Sequence, residues 1–212
     1  MGVNKSAPVA AIVLAAGISQ RMGKDNKLHL TIDGKPLLRH SLETLCAANL
    51  GEIVVVLGHE HEATHELLDG LPIKTVFNKD YLSGQMSSMR CGLSTLSEPN
   101  NGVMVALGDQ PALTSEDINV IIDAYHHRDY GEVVIPMYQG ERGNPIVISA
   151  NSRDSILAGE KNVGCKQFIK KHPELTVMVE MPNSSVLLDL DTPQEYQAFC
   201  ESTLSDSTRL RG

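Results

Sequence analysis

The stretch Val9-Ala-Ala-Ile-Val-Leu-Ala-Ala-Gly17-Ile-Ser-Gln-Arg21-Met-Gly23-Lys-Asp-Asn-Lys27 decides the fold. Its first six residues are apolar without a break, the pattern of a strand buried on both faces. The remainder carries two glycines, a serine and the cations Arg21, Lys24 and Lys27. A buried strand that empties into such a loop opens an α/β unit. Backbone N–H groups of the loop can lie along a phosphate chain while Arg21 and Lys27 neutralise it. A chain of formal charge -8 gathers cations in one place when an anion is to be held there. The segment points to a nucleotide.

Outward from this loop, short β-branched runs alternate with helical patterns. Strands are expected at 9–15, 52–57, 73–77, 103–107, 133–136, 177–180 and 186–190, and helices at 36–49, 61–68, 87–96, 115–127, 152–158 and 165–171. The alternation predicts an α/β three-layer sandwich with a mainly parallel central sheet, Rossmann-like in layout. Ligands of such sheets gather beyond the carboxyl ends of the strands, where the opening loop, Gly58 and Gly108-Asp109 all fall. Residues 138–148 break the alternation with turn chemistry, Gln-Gly-Glu-Arg-Gly-Asn-Pro, and suggest a hairpin or flap over the site. The expectation is one domain over residues 1–202 and a disordered tail over 203–212.

Composition narrows the partners. The acidic balance, 4% aromatic content and absence of Trp argue against nucleic acid, which needs surplus cations and stacking rings. Cys46, Cys91, Cys165 and Cys200 contain no C-x-x-C pair, which fits reduced thiols in a cytoplasmic protein better than a zinc knuckle. No apolar run approaches the ~20 residues that span a bilayer. The opening Met-Gly-Val-Asn-Lys-Ser fits the bare myristoylation pattern, but nothing else indicates a membrane partner.

The loop is not a Walker A element: five residues, not four, separate Gly17 from Gly23-Lys24, and Asp25 stands where Ser or Thr is required. Leu107-Gly108-Asp109-Gln110-Pro111 ends a strand, so Asp109 could join a divalent ion to phosphates or cap the next helix. In Leu187–Glu195, Thr192 and Glu195 form a capping box, and strand alternation would put Asp189 and Asp191 on one face. Such a pair needs a cation, either a metal shared with Asp109 or a Lys or Arg. Ser87 and Ser88 open a helix and could meet a base carbonyl, or serve as an ordinary cap. His61-Glu62-Ala63-Thr64-His65 satisfies H-E-x-x-H, but it opens a short helix after a buried strand, where a solvated face is the plainer reading.

Together these residues resemble the nucleotidyltransferases of the molybdenum-cofactor family. The family's L-A-A-G-x-S-x-R-M-G-x-x-x-K loop stands at Leu14–Lys27 and its G-D-Q-P element at Gly108–Pro111. Its D-x-D-T-P-x-x-Y ending stands at Asp189–Tyr196, and its R-G-N-P flap at Arg142–Pro145. A serine stretch approximates the family between Asn78 and Ser88, and the matches run in order from about residue 9 to 200. Two departures, Gln85-Met86 and the stretch 159–166, lie where the acceptor is expected.

The resemblance implies a nucleotidyltransferase that moves CMP from CTP to molybdopterin and releases pyrophosphate. Ala15-Ala16-Gly17 leans to cytosine, since relatives that take guanine tend to read Ala-Gly-Gly. It implies Leu14, Ala15, Ala16, Gly17 and Ser19 around the nucleotide, with Gly58, Ser87, Ser88 and Gly108 beside them. Arg21, Lys27 and Asp109 become the catalytic groups, and Asp109 with Asp191 the holders of Mg²⁺ (or Mn²⁺). Arg142, Gly143 and Asn144 fall to the acceptor, and a recipient molybdoenzyme becomes a transient partner. The alternatives are GTP or another phosphorylated acceptor, a non-catalytic carrier of the cofactor, and a zinc peptidase built on His61 and His65.

Overall fold

A computed structural model describes residues 8–23, 25–97, 101–159 and 171–209. Strand β1 (Val9–Ala15) lies mid-sheet, paired in parallel with β4 (Leu50–Leu57) on one side and β6 (Gly102–Leu107) on the other. Beyond β4 lies β5 (Lys74–Phe77), also parallel. On the β6 side, β9 (Ile146–Ser149) is antiparallel, and β7 (Val133–Tyr138) is antiparallel to it. Strand β10 (Thr176–Glu180) then pairs in parallel with β7 at the sheet's edge. The order is β10-β7-β9-β6-β1-β4-β5, a mainly parallel sheet as the alternation predicts.

Residues of β1 alternate between two cores. Ala11, Val13 and Ala15 pack with Leu38, Leu42 and Leu45 of α1 (Leu37–Ala47) and with Ile118, Ile121 and Tyr125 of α4 (Ser115–His127). Ala10 and Ile12 face the other way, onto Met89 and Leu93 of α3 (Gln85–Thr95) and Ile156 of α5 (Ala150–Leu157). A continuous apolar run is needed because neither face of this strand meets water. Three layers follow. A two-strand hairpin of β2 (Thr31–Ile32) and β3 (Lys35–Pro36) precedes α1, and the short α2 (His61–Glu66) joins β4 to β5.

Helix α4 begins at the predicted residue because Thr114 and Asp117 form a reciprocal capping box. The Asp117 carboxylate also accepts from Asn183 Nδ2 at 3.1 Å and from the Ser185 hydroxyl at 2.9 Å. It thereby ties the start of α4 to the turn that precedes Asp189.

The strand expected at 186–190 does not form. Ser184–Leu187 is a 3-10 turn, and Val186 and Leu190 bury their side chains in separate clusters. The backbone here is matched by loops instead of a ladder. Val186 O accepts from Asn144 N at 2.9 Å and Gln110 Nε2 at 3.3 Å, and Leu190 N donates to Asp109 O at 3.1 Å. Helix α6 (Pro193–Arg209) runs on into the segment expected as a tail. Its start is capped by Thr192 and Glu195, and no Gly or Pro interrupts it before Arg209. The helix expected at 165–171, with Cys165, falls almost wholly outside the described residues.

The flap forms as expected. Strand β7 turns through Gln139-Gly140 into β8 (Glu141–Arg142), which pairs back onto it. Gly143 then passes so close to the 3-10 turn that an added Cβ would lie 2.4 Å from Val186 O. Only glycine permits that approach.

Candidate active site

The loop after β1 is shaped by hydrogen bonds from its own polar residues. Ser19 takes a left-handed conformation (φ 49°), its carbonyl accepts from Met22 N at 2.8 Å, and its hydroxyl accepts from Lys27 N at 3.2 Å. Met22 and Leu28 are buried and pin the loop at two points. The Asn26 side chain caps the next turn by accepting from Leu28 N at 3.1 Å. With Leu28 in the core, the neighbouring Lys27 side chain projects over the carboxyl ends of the strands.

There its ammonium meets two carboxylates at once: Asp109 Oδ2, and Asp191 Oδ1 at 2.6 Å. Arg21 Nη2 lies 2.5 Å from Asp191 Oδ2. Oxygens of Asp109, Asp189 and Asp191 all lie within 4.8 Å of one another. Three carboxylates from two distant stretches of chain therefore face two cations. The sequence argument for pairing Asp189 with Asp191 assumed a strand; the pair converges here through an irregular turn.

Electrostatics follow from this crowding. Burial pulls the Lys27 pKa down, but Asp109 first and Asp191 second outweigh it and hold it above the ordinary lysine value. Burial works against the Asp191 carboxylate, yet Lys27 and Arg21 hold its pKa below the usual range. For Asp189 the balance is reversed: burial, then repulsion from Asp191 and Asp109, outweighs the weaker pull of Lys27 and pushes its pKa up. Asp109 is only 7% exposed, and its Oδ1 has no hydrogen-bond partner in the protein. A buried carboxylate oxygen left bare costs about 1–3 kcal/mol unless a cation meets it. An all-oxygen donor set of this kind suits a hard divalent ion such as Mg²⁺ or Mn²⁺.

A cleft of about 330 Å³ opens beside Lys27 and Asp109, floored by Leu14 to Ser19 and walled by Tyr81, Leu82, Gln85 and Ser88. A second cavity of about 450 Å³ shares Leu14, Gln85 and Leu107 with it. Arg142, Gly143, Asn144 and Asp189 line this second lobe among Met86, Met89 and Ile146.

The structure thus brings Leu14, Ala15, Ala16, Gly17, Ser19, Lys27, Ser88 and Asp109 to one lobe and the flap residues to the other. Arg21 reaches the rim through Asp191 and is 66% exposed. Gly58, Ser87 and Gly108 line neither lobe. The Ser87 hydroxyl is turned to the Asp80 and Gly84 carbonyls, and Gly108 packs on Leu38. Gly58 lies beneath the loop, where a Cβ would sit 2.5 Å from Ala16 O. We expect Gly58→Ala to weaken nucleotide binding about tenfold or more and to lower the melting temperature, because the loop backbone must lift. Calorimetric titration with a nucleoside triphosphate reads the first effect, and thermal melting the second.

Sequence reasoning missed Tyr81 and Leu82 as wall residues, placed Gln85 with the acceptor, and gave Asn78 no role beyond opening the serine stretch. Asn78 is buried and donates to Ser87 at 2.9 Å and Ser88 at 3.0 Å. An Asn just after a strand, nine residues before a serine pair, is the local signal for that role.

The H-E-x-x-H element holds no metal site. His61 stacks on Phe77 at 4.0 Å, and His65 Nδ1 lies 3.2 Å from the Thr75 hydroxyl, so both rings face β5. Among the described residues the three aspartates are the only metal-competent group. No helix among them is long and apolar enough to cross a membrane.

Known proteins share this layout. Nicotine blue oxidoreductase from Paenarthrobacter nicotinovorans is 28% identical over 195 residues, 88% of this chain and 94% of that one. Molybdenum cofactor cytidylyltransferase from Escherichia coli is 24% identical over 189 residues, 89% and 93% of the two chains. The bifunctional protein GlmU of Mycobacterium ulcerans is 37% identical over 123 residues, 55% of this chain, which spans only 25% of GlmU. Among solved structures, a nucleotidyl transferase from Methanothermobacter superposes with TM-score 0.80 at 22% identity, covering 94% of this chain and 99% of that one. The manganese complex of Rv0371C from Mycobacterium tuberculosis superposes with TM-score 0.71 at 24% identity, covering 92% and 99%. These two likenesses establish the nucleotidyltransferase fold. The family pattern itself matches residues 11–176, the span that runs from β1 through the flap to β10, and by that match the chain belongs to the MobA-like NTP transferase domain family.

Proposed function

We propose that this protein transfers CMP from CTP to the terminal phosphate of molybdopterin, in the cytoplasm, and passes the dinucleotide product to a molybdoenzyme. The observation that carries the reading is Lys27 held between Asp109 and Asp191 beside the first of two adjoining lobes, with Asp189 lining the second. One lobe is bounded by the glycine-containing loop after β1; the other mixes Met86, Met89 and Ile146 with Arg142 and Asn144. That second lobe suits a flat heterocycle carrying a phosphate. The whole-length similarity to a molybdenum cofactor cytidylyltransferase and the Ala15-Ala16-Gly17 opening support the choice of CTP and pterin.

In this reading the loop amides between Gly17 and Gly23, with Arg21 and Lys27, hold the β- and γ-phosphates. An acceptor phosphate oxygen forms its bond to the α-phosphorus as the α–β bridging oxygen departs with pyrophosphate. No bond to the enzyme is made, so rate comes from positioning and charge neutralisation. Lys27 and Arg21 exchange their carboxylates for phosphate oxygens and stabilise the leaving group. Asp109 and Asp191, with Asp189 beside them, would hold Mg²⁺ or Mn²⁺, which supplies a template and Lewis acid when bound. Asp109 Oδ1, bare and buried, fits that duty.

Incubation with each nucleoside triphosphate against molybdopterin and sugar phosphates, with products weighed by mass spectrometry, tests the assignment. A cytosine–pterin dinucleotide with pyrophosphate is expected. A guanine or sugar product would overturn it, and pterin binding without turnover would favour a carrier. Arg142→Ala should raise the acceptor KM about 10- to 100-fold, the worth of a charged hydrogen bond, and leave CTP binding unchanged.

A further inference from the structure

Asn26 and His29, on either side of Lys27 in the same turn, are tied to Glu60 just before α2 and to Thr64 within it, the helix that carries the unused H-E-x-x-H element. Asn26 Nδ2 donates to Glu60 Oε2 at 3.1 Å. His29 Nε2 lies 2.9 Å from the Thr64 hydroxyl. Thr64 is fully buried, and its hydroxyl donates to the Glu60 carbonyl at 2.9 Å. With that proton spent, His29 supplies the Nε2–H. Glu60 and Thr64, one helical turn apart, therefore grip the turn on either side of Lys27, and Ser19 holds the Lys27 amide from below.

Glu60 is also in a left-handed backbone conformation (φ 51°). A residue with a long side chain pays strain there that glycine would not. Strain of this kind persists where the surrounding structure over-determines it, and such places gather at functional sites. The side-chain bond to Asn26 is what glycine could not provide.

We infer that Glu60 and Thr64 are positioning residues that hold the Asn26–His29 turn so that the Lys27 ammonium stays aimed at the Asp109–Asp191 pair beside the first lobe. They touch neither lobe of the cleft and act through Lys27. The inference rests on the proposed nucleotidyl transfer only for its effect on nucleotide binding; the effect on Lys27 itself is independent of it.

Lysine labelling by reductive methylation, read residue by residue by mass spectrometry, tests the placement without a substrate. Lys27 should label about tenfold faster in Glu60→Gly and in Thr64→Val, as expected when one or two hydrogen bonds are lost. Lys35 and Lys74, in ion pairs elsewhere on the surface, should be unchanged and serve as internal standards. Glu60→Gln and Thr64→Ser keep the acceptors and should restore the slow rate. Glu60→Gly relieves the left-handed strain, and unchanged labelling of Lys35 and Lys74 excludes unfolding as the cause. In parallel, CTP affinity with Mn²⁺ should fall about tenfold in both disruptive variants, and that loss should vanish in a Lys27→Met background. Unchanged Lys27 labelling overturns the inference whatever CTP does, as does an undiminished loss in Lys27→Met. Faster labelling in a protein that binds no nucleoside triphosphate upholds the positioning and sinks the nucleotidyl-transfer reading.

Discussion

Asp109→Ala should cut pyrophosphate release from the nucleoside triphosphate by at least about 100-fold, the scale on which removal of one preorganised charge acts. The fold should survive. Asp109 gives its Oδ2 to Lys27, which keeps Asp191 as a partner, and its Oδ1 bonds nothing in the protein. The backbone link from Leu190 N to Asp109 O does not depend on the side chain. Steady-state release assays beside thermal melts separate the two effects, with Asp109→Asn as a variant of equal shape and no charge. Near-normal release from either variant would remove Asp109 from the reaction.

The second large effect is structural. Asp117→Ala is expected to destabilise the protein by about 3–4 kcal/mol, because it strips partners from several donors in one buried spot. Thr114 N at 3.1 Å and its hydroxyl at 2.9 Å lose the capping acceptor. Asn183 Nδ2 and the Ser185 hydroxyl lose theirs at the same time. For a chain of this size the loss lowers the melting temperature by about 10 °C. The turn at 183–187 leads directly to Asp189 and Asp191, so Mn²⁺ affinity should fall with it. A melt unchanged within a degree or two would show that Asn183 and Ser185 find water at no cost.

What could be read from the sequence was whatever neighbours along the chain encode. The strand 9–15, its loop and the helix 115–127 rest on local patterns: an unbroken apolar run, glycines among cations, a reciprocal cap. Asp189 and Asp191 were paired on a wrong premise, because Val186, Leu188 and Leu190 imitate strand alternation where the backbone is satisfied by Asn144, Gln110 and Asp109. Gly58 sits at a strand end and Ser87 at a helix start, as expected, but which way each faces depends on Ala16, Asp80 and Gly84. The contacts that brace Lys27 join positions 34 and 35 residues apart, Asn26 to Glu60 and His29 to Thr64. No periodicity encodes such a pairing, and the same stretch presents a misleading protease pattern.

The placement of β1 between two parallel neighbours has a consequence for how the molecule fails when heated. Amide protons of Ala11 to Leu14 should exchange with solvent only on global unfolding, since both flanking ladders must break to free them. The short β8 ribbon, paired on one side to β7, should open at far lower cost. On the proposed assignment of the flap to the acceptor, warming would therefore loosen acceptor selectivity at temperatures where the loop after β1 still captures triphosphate.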